Sequence, residues 1–171
     1  MHRVLQHKDD DSLPSGALEL RLPDEAATLA LGARLAGVLQ PGLYIELLGD
    51  LGAGKTTLVR GLLRALGYQG RVKSPTFTLL EHYSVLRFNL YHFDLYRFED
   101  PEEWLDAGFR EHFNADSVCL VEWPQKAEGC LPMADVTLRL DIVDQGAGRQ
   151  ATLLPHTLSG KQCLAMLATG D

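Results

Sequence analysis

Gly49-Asp50-Leu51-Gly52-Ala53-Gly54-Lys55-Thr56 fits the P-loop pattern G-x-x-x-x-G-K-[ST]. The flanking residues fit its context. An apolar, strand-like run, Leu43-Tyr44-Ile45-Glu46-Leu47-Leu48, leads into it, and a helix-like run from Thr57 to Leu66 follows. Gly49, Gly52 and Gly54 have no Cβ to keep a polyphosphate from the backbone. The loop N–H groups can then form an anion nest, aided by the positive end of the helix that follows. Lys55 is a mobile charge for β- and γ-phosphates, and Thr56 offers a hydroxyl to Mg²⁺. The candidate nucleotide-binding residues here are Asp50, Leu51, Gly52, Ala53, Gly54, Lys55, Thr56 and Thr57.

The 171 residues suit one domain. The formal net charge of −7 argues against tight nucleic-acid binding by the whole surface. Arg60, Arg64, Arg71 and Lys73 could form a local basic patch or an ordinary solvated face. Cys119, Cys130 and Cys163 show no C-x-x-C spacing, so a zinc or redox site is unsupported. The odd cysteine count fits a reducing compartment. No apolar run approaches the roughly 20 residues of a membrane span, and no secretory signal is visible. A cytoplasmic, non-membrane protein is expected.

Residues 1–16 read as a polar, disordered tail, leaving 17–171 as one P-loop ATPase domain. Ala17 to Leu22 suggests a short strand. Pro23-Asp24-Glu25 starts a helix whose apolar face is Ala27, Leu31, Leu35 and Val38. Gly67 and Gly70 close the helix after the P-loop. Two extended runs, Phe77 to Tyr83 and Leu86 to Phe93, predict an antiparallel hairpin. Asp100-Pro101-Glu102-Glu103 marks another helix start. Val118-Cys119-Leu120-Val121 suits a buried strand, and Val136 to Ile142 alternates as a half-exposed one. Gln150 to Leu154 can pair with it across the turn at 144–148. Ser159 is placed to cap a last helix. Leu158-Ser159-Gly160-Lys161-Gln162 resembles the L-S-G-G-Q signature of ABC transporter ATPases. It follows the acid-ended strand instead of preceding it, so it reads as a helix cap. The fold class is α/β, with a mixed sheet of parallel core strands and added antiparallel strands.

Two acids stand out. Glu122 closes the apolar run at the carboxyl end of a central strand, where ligands of open α/β sheets collect. It can hold Mg²⁺ or its waters. Asp94 ends the run Tyr91-His92-Phe93 and can orient an attacking water. It can equally serve as a helix cap or an ion-pair partner of Arg97. His92 reads as a proton carrier or a packed core histidine. Trp123 reads as packing or as a contact for a partner or the nucleotide pocket. No N-K-x-D appears, so guanine specificity is unsupported.

The P-loop through Thr57, Lys73-Ser74-Pro75-Thr76-Phe77-Thr78-Leu79, Tyr91-His92-Phe93-Asp94-Leu95-Tyr96-Arg97 and Val121-Glu122-Trp123 together resemble the TsaE (YjeE) family. These are bacterial P-loop ATPases of tRNA threonylcarbamoyladenosine biosynthesis. The resemblance implies an Mg²⁺-dependent ATPase that binds and cycles the TsaB–TsaD pair and meets tRNA through it. It implies Thr56 and Glu122 as metal ligands, and Lys55, Asp94 and Glu122 as catalytic. Ser74 and Thr76 would lie on a switch-like loop, with Trp123 by the site. Glu25 and Arg149 would border the adenine pocket. A small-molecule kinase is the rival reading, although no clear lid segment is visible. A nucleotide-dependent binding module with little catalysis is a third.

Overall fold

The computed structural model describes residues 12–170. Seven strands form one mixed sheet in the order β1-β7-β6-β2-β5-β4-β3. The parallel centre is β6 (Val136–Val143), β2 (Tyr44–Leu48), β5 (Ser117–Glu122) and β4 (Asn89–Asp94). The antiparallel additions are β1 (Leu18–Leu22) and β7 (Gly148–Pro155) at one edge and β3 (Leu80–Ser84) at the other. This is the expected mixture.

Strand β5 is buried throughout, as its unbroken apolar run requires of a parallel strand covered on both faces. Its side chains alternate between two cores. Val118 and Leu120 join Ile45 and Leu47 of β2 under α1 (Glu25–Ala36), α2 (Lys55–Ala65) and α4 (Leu158–Thr169). Cys119 and Val121 join Tyr44, Phe93 and Trp104 on the opposite face, under α3 (Glu102–Asp106) and the 3-10 segment Pro124–Ala127. Burial pushes the Cys119 thiol up to about 12 and, with Asp135 nearby, that of Cys163 up to about 11. No cysteine among the described residues is paired.

Several boundaries differ from expectation. The first hairpin strand starts at Leu80, not Phe77, because Pro75 to Leu79 closes a turn. Leu79 N donates to Pro75 O at 2.7 Å, and Leu79 takes a left-handed φ of 66°. The second starts at Asn89, after a turn in which Val85 N donates to Phe88 O. The last helix is capped by Thr157, whose hydroxyl accepts from Gly160 N at 3.0 Å, and not by Ser159. Asp24 caps α1 as expected, accepting from Ala27 N at 2.8 Å. Residues 1–11 of the expected tail lie outside the described residues. Residues 12–16 are exposed and enter β1 through a turn.

Helices α1 and α2 cross at backbone contact. A Cβ on Gly32 would lie 2.1 Å from Leu58 O, and one on Gly61 would lie 2.2 Å from Leu29 O. Glycine normally weakens a helix interior, so these two positions trade propensity for close approach. Gly160 does the same against Asp135 O at 1.9 Å, which accounts for the glycine after Leu158-Ser159. We expect Gly32→Ala to destabilise the chain by about 3 kcal/mol, the upper range for overpacking, although alanine is the better helix former. Urea denaturation checks this, and a midpoint equal to wild type would mean that the helices can part at no cost.

Candidate nucleotide and metal site

The glycine-rich loop leaves the carboxyl end of β2, the sheet's central strand. Its three glycines all have positive φ: 150° at Gly49, 80° at Gly52 and 105° at Gly54. Side-chain-bearing residues rarely adopt such backbones. Gly49 carries a second constraint, since a Cβ there would meet Leu140 O at 2.7 Å. That glycine is required by packing against β6, and Gly52 by conformation alone, with open space around it. Gly54 caps α2 without a side-chain hydrogen bond. The first-turn N–H groups of α2 therefore have no side-chain partner at the cap. Ala53 is fully buried, whereas Leu51 is 65% exposed.

Sheet register brings the two acids together. Leu47 of β2 pairs with Glu122 of β5, and Glu122 pairs with Asp94 of β4. Both carboxylates are nearly enclosed, at 3% and 4% exposure. Glu122 Oε2 lies 2.7 Å from His92 Nε2, and Oε1 lies 3.6 Å from Lys55 Nζ. Burial alone would raise the Glu122 pKa. The His92 hydrogen bond and charge, with Lys55, outweigh burial and hold it below the usual carboxylate range. Asp94 moves the other way. Burial raises it, the Tyr96 amide opposes this, and the Glu122 charge raises it further. Two adjoining carboxylates with opposite shifts suit different tasks, one staying ionised and the other poised to accept a proton.

Asp94 also holds the loop before β3. Its Oδ1 accepts from Tyr96 N at 2.9 Å, and its Oδ2 accepts from the Thr76 hydroxyl at 3.2 Å. Thr76 Oγ1 in turn lies 2.8 Å from Ser74 Oγ. Ser74 and Thr76 are thus linked to the acid by side-chain contacts. Arg97 lies over the Phe77 ring at 4.7 Å, and no Asp94–Arg97 ion pair forms among the described residues.

Lys55 donates to Gly49 O and lies 4.7 Å from the centroid of the Trp123 ring. Trp123 follows Glu122 with a left-handed φ of 56°, a costly conformation for a bulky residue and one found at functional sites. Its ring packs against Tyr96 at 5.0 Å. Tyr96 stood in the sequence as one residue of the block around Asp94, with no role of its own assigned.

A cleft of about 350 Å³ lies on the other side of the loop, bordered by Glu25, Thr28, Thr57, Gly146 and Arg149 among others. Glu25 and Arg149, far apart in sequence, therefore face one space. Arg149 Nε donates to Ala53 O at 2.8 Å, and its Nη2 donates to Gly52 O at 3.1 Å, so β7 braces the loop. Asp24 borders the cleft too, but its carboxylate is engaged as the helix cap. A larger cleft of about 760 Å³ opens beside Lys55 and Trp123, with Tyr44 and Arg139 in its walls.

The donors fit Mg²⁺. The Thr56 hydroxyl and the Glu122 carboxylate are hard oxygens, and Mg²⁺ takes one or two protein ligands alongside phosphates. No group of three or more His, Cys, Asp or Glu side chains among the described residues could hold a metal by itself.

The family model for "Threonylcarbamoyl adenosine biosynthesis protein TsaE" matches residues 22–151. The tRNA threonylcarbamoyladenosine biosynthesis protein TsaE of Haemophilus influenzae is 45% identical over 149 residues, covering 84% of this chain and 93% of that protein. Its Bacillus subtilis counterpart is 39% identical over 145 residues, covering 85% and 88%. The crystal structure of Bacillus subtilis YdiB superposes with a TM-score of 0.77 at 30% identity, covering 89% of this chain and 94% of that one. With the family model spanning residues 22–151 and relatives of 45% and 39% identity over most of its length, the chain belongs to the TsaE family.

Proposed function

We propose that this protein is an Mg²⁺-dependent ATPase that supports threonylcarbamoyladenosine modification of tRNA by binding and releasing a TsaB–TsaD pair. The observation that carries this reading is the meeting of Lys55, Glu122 and Asp94 at one sheet edge, with Asp94 bonded to Thr76.

The loop amides and Lys55 hold the phosphates. Lys55 leaves Gly49 O and turns to the β- and γ-oxygens, a short swing for a flexible stem. Thr56 and Glu122 would hold Mg²⁺, which would neutralise charge developing on the phosphates. Glu25, Thr57 and Arg149 line the space for the base. Asp94 accepts a proton from the attacking water, a task its raised pKa suits. Proton uptake by Asp94 alters its bonds to Tyr96 N and Thr76, so the state of the reaction reaches the 74–79 loop. A TsaB–TsaD surface reading that loop would sense whether ATP or its products are bound. Such a protein works as a switch in the cytoplasm, and tRNA is met through the partners, in keeping with the net charge of −7.

Phosphate release measured alone, with TsaB–TsaD, and with candidate small acceptors tests the reading. Stimulation by the pair only is the expected result. Phosphoryl transfer to an acceptor without the pair would make the protein a kinase instead.

Asp94→Asn should keep ATP binding and lower phosphate release by about 10²-fold, the usual scale for a general base. In the wild type, release should fall as pH drops through the raised Asp94 pKa, because the base must be ionised. Since the folded state disfavours ionised Asp94, its contribution to stability is lost as pH rises through that pKa. The Asn variant should therefore melt no lower than wild type at pH 7. A variant that hydrolyses normally but melts earlier would make Asp94 a structural cap.

Glu122→Gln should lower hydrolysis more than metal-free ATP binding, with partial recovery at high Mg²⁺. Wild-type rates at ordinary Mg²⁺ would reduce Glu122 to a charge at a strand end.

A further inference from the structure

His92 sits on β4 with its imidazole fully enclosed, at 0% exposure. A polar ring at that depth is costly unless its nitrogens are paired. One of them is paired: Nε2 lies 2.7 Å from Glu122 Oε2. Nδ1 has no partner among the described residues. An ionised carboxylate can only accept, so Nε2 carries a proton and donates it to Glu122. The ring therefore makes a single directional contact, and that contact is with the acid ending β5.

Register makes the contact possible. His92 pairs with Leu120 and Asp94 pairs with Glu122. The imidazole thus reaches two positions along the neighbouring strand to meet Oε2. The other oxygen, Oε1, faces Lys55 Nζ at 3.6 Å. Each carboxylate oxygen has its own neighbour, and rotation of the group would break both contacts. A packing ring alone would not need this direction, since phenylalanine fills such a space without burying an unpartnered nitrogen.

We infer that His92 is a positioning residue for the metal site: by occupying Oε2 it fixes the Glu122 carboxylate so that Oε1 alone is presented to the Mg²⁺ bound with ATP. This rests on the ATP and Mg²⁺ reading of the site. Residues behind a metal ligand set its orientation, and their loss weakens metal binding without removing a ligand.

The test uses Mn²⁺ as probe, with free Mn²⁺ followed by electron paramagnetic resonance in the presence of a non-hydrolysable ATP analogue. Wild type, His92→Phe and His92→Gln are compared after circular dichroism has verified folding. His92→Phe should weaken Mn²⁺ binding by about 10- to 100-fold, while affinity for the analogue in EDTA stays unchanged. His92→Gln, which can still donate an N–H, should recover most of the loss. Equal Mn²⁺ affinity in His92→Phe, or no recovery in His92→Gln, overturns the inference and leaves a core histidine. If His92→Phe does not fold, nitrogen-15 spectra of the wild type decide. A proton on Nε2 in slow exchange supports the inference, and a ring protonated on Nδ1 alone overturns it. Wild type that binds neither Mn²⁺ nor the analogue overturns the ATP reading itself, whereas binding of both with no effect of His92→Phe overturns only the positioning role.

Discussion

A carboxylate buried at the end of a wholly buried strand is the constraint around which this site is arranged. Strand β5 lies inside the sheet with β2 on one side and β4 on the other, and none of its six residues reaches solvent appreciably. Glu122 must therefore find its partners within the protein. It finds Lys55 from the glycine-rich loop and His92 from β4. Those two contacts fasten the glycine-rich loop to one side of β5 and the Asp94 strand to the other. The residues that would handle phosphate and water are held together by the need to compensate one charge.

The same arrangement separates two acids that look alike in the chain. Glu122 has two compensating neighbours and stays ionised below the usual range. Asp94 is pushed up by burial, opposed by a backbone amide and a hydroxyl, with the negative neighbour in register adding to the rise. Neither direction follows from the residue type. Both follow from which strand stands beside which.

Local signals in the sequence located the parts that depend on local chemistry. The loop from Gly49 to Thr56 and the apolar run before Glu122 are continuous segments with their own periodicity. The Asp24 cap and the hairpin of β6 and β7 are likewise short-range. The sequence was silent where distance in the chain is large. His92 could be read as a packed residue or a proton carrier, and its contact with Glu122 depends on parallel register across 30 residues. Gly32 and Gly61 carry no mark of their role in the chain itself, because it exists only where the two helices cross. Phe77 to Leu79 carried strand-like residues, yet the Pro75 turn overrode that preference. Ser159 and Thr157 are both competent caps, and the hydroxyl nearer the turn of the chain took the role.

The crossing of α1 and α2 also divides the molecule mechanically. The amino end of α1 borders the smaller cleft, and the amino end of α2 receives the glycine-rich loop. Gly32 and Gly61 press their backbones together with no side-chain layer between them. Sliding one helix along the other would drive carbonyls into Cα atoms, so the smaller cleft and the glycine-rich loop are tied to one stiff pair of helices. The loop from Ser74 to Thr78, and the Trp123 turn, are held differently. Their side chains meet the site through the Thr76 hydroxyl on Asp94, the Ser74 hydroxyl on Thr76, and the Trp123 ring against Tyr96 and Lys55. A shift of those side chains would leave the backbone contact at the helix crossing intact.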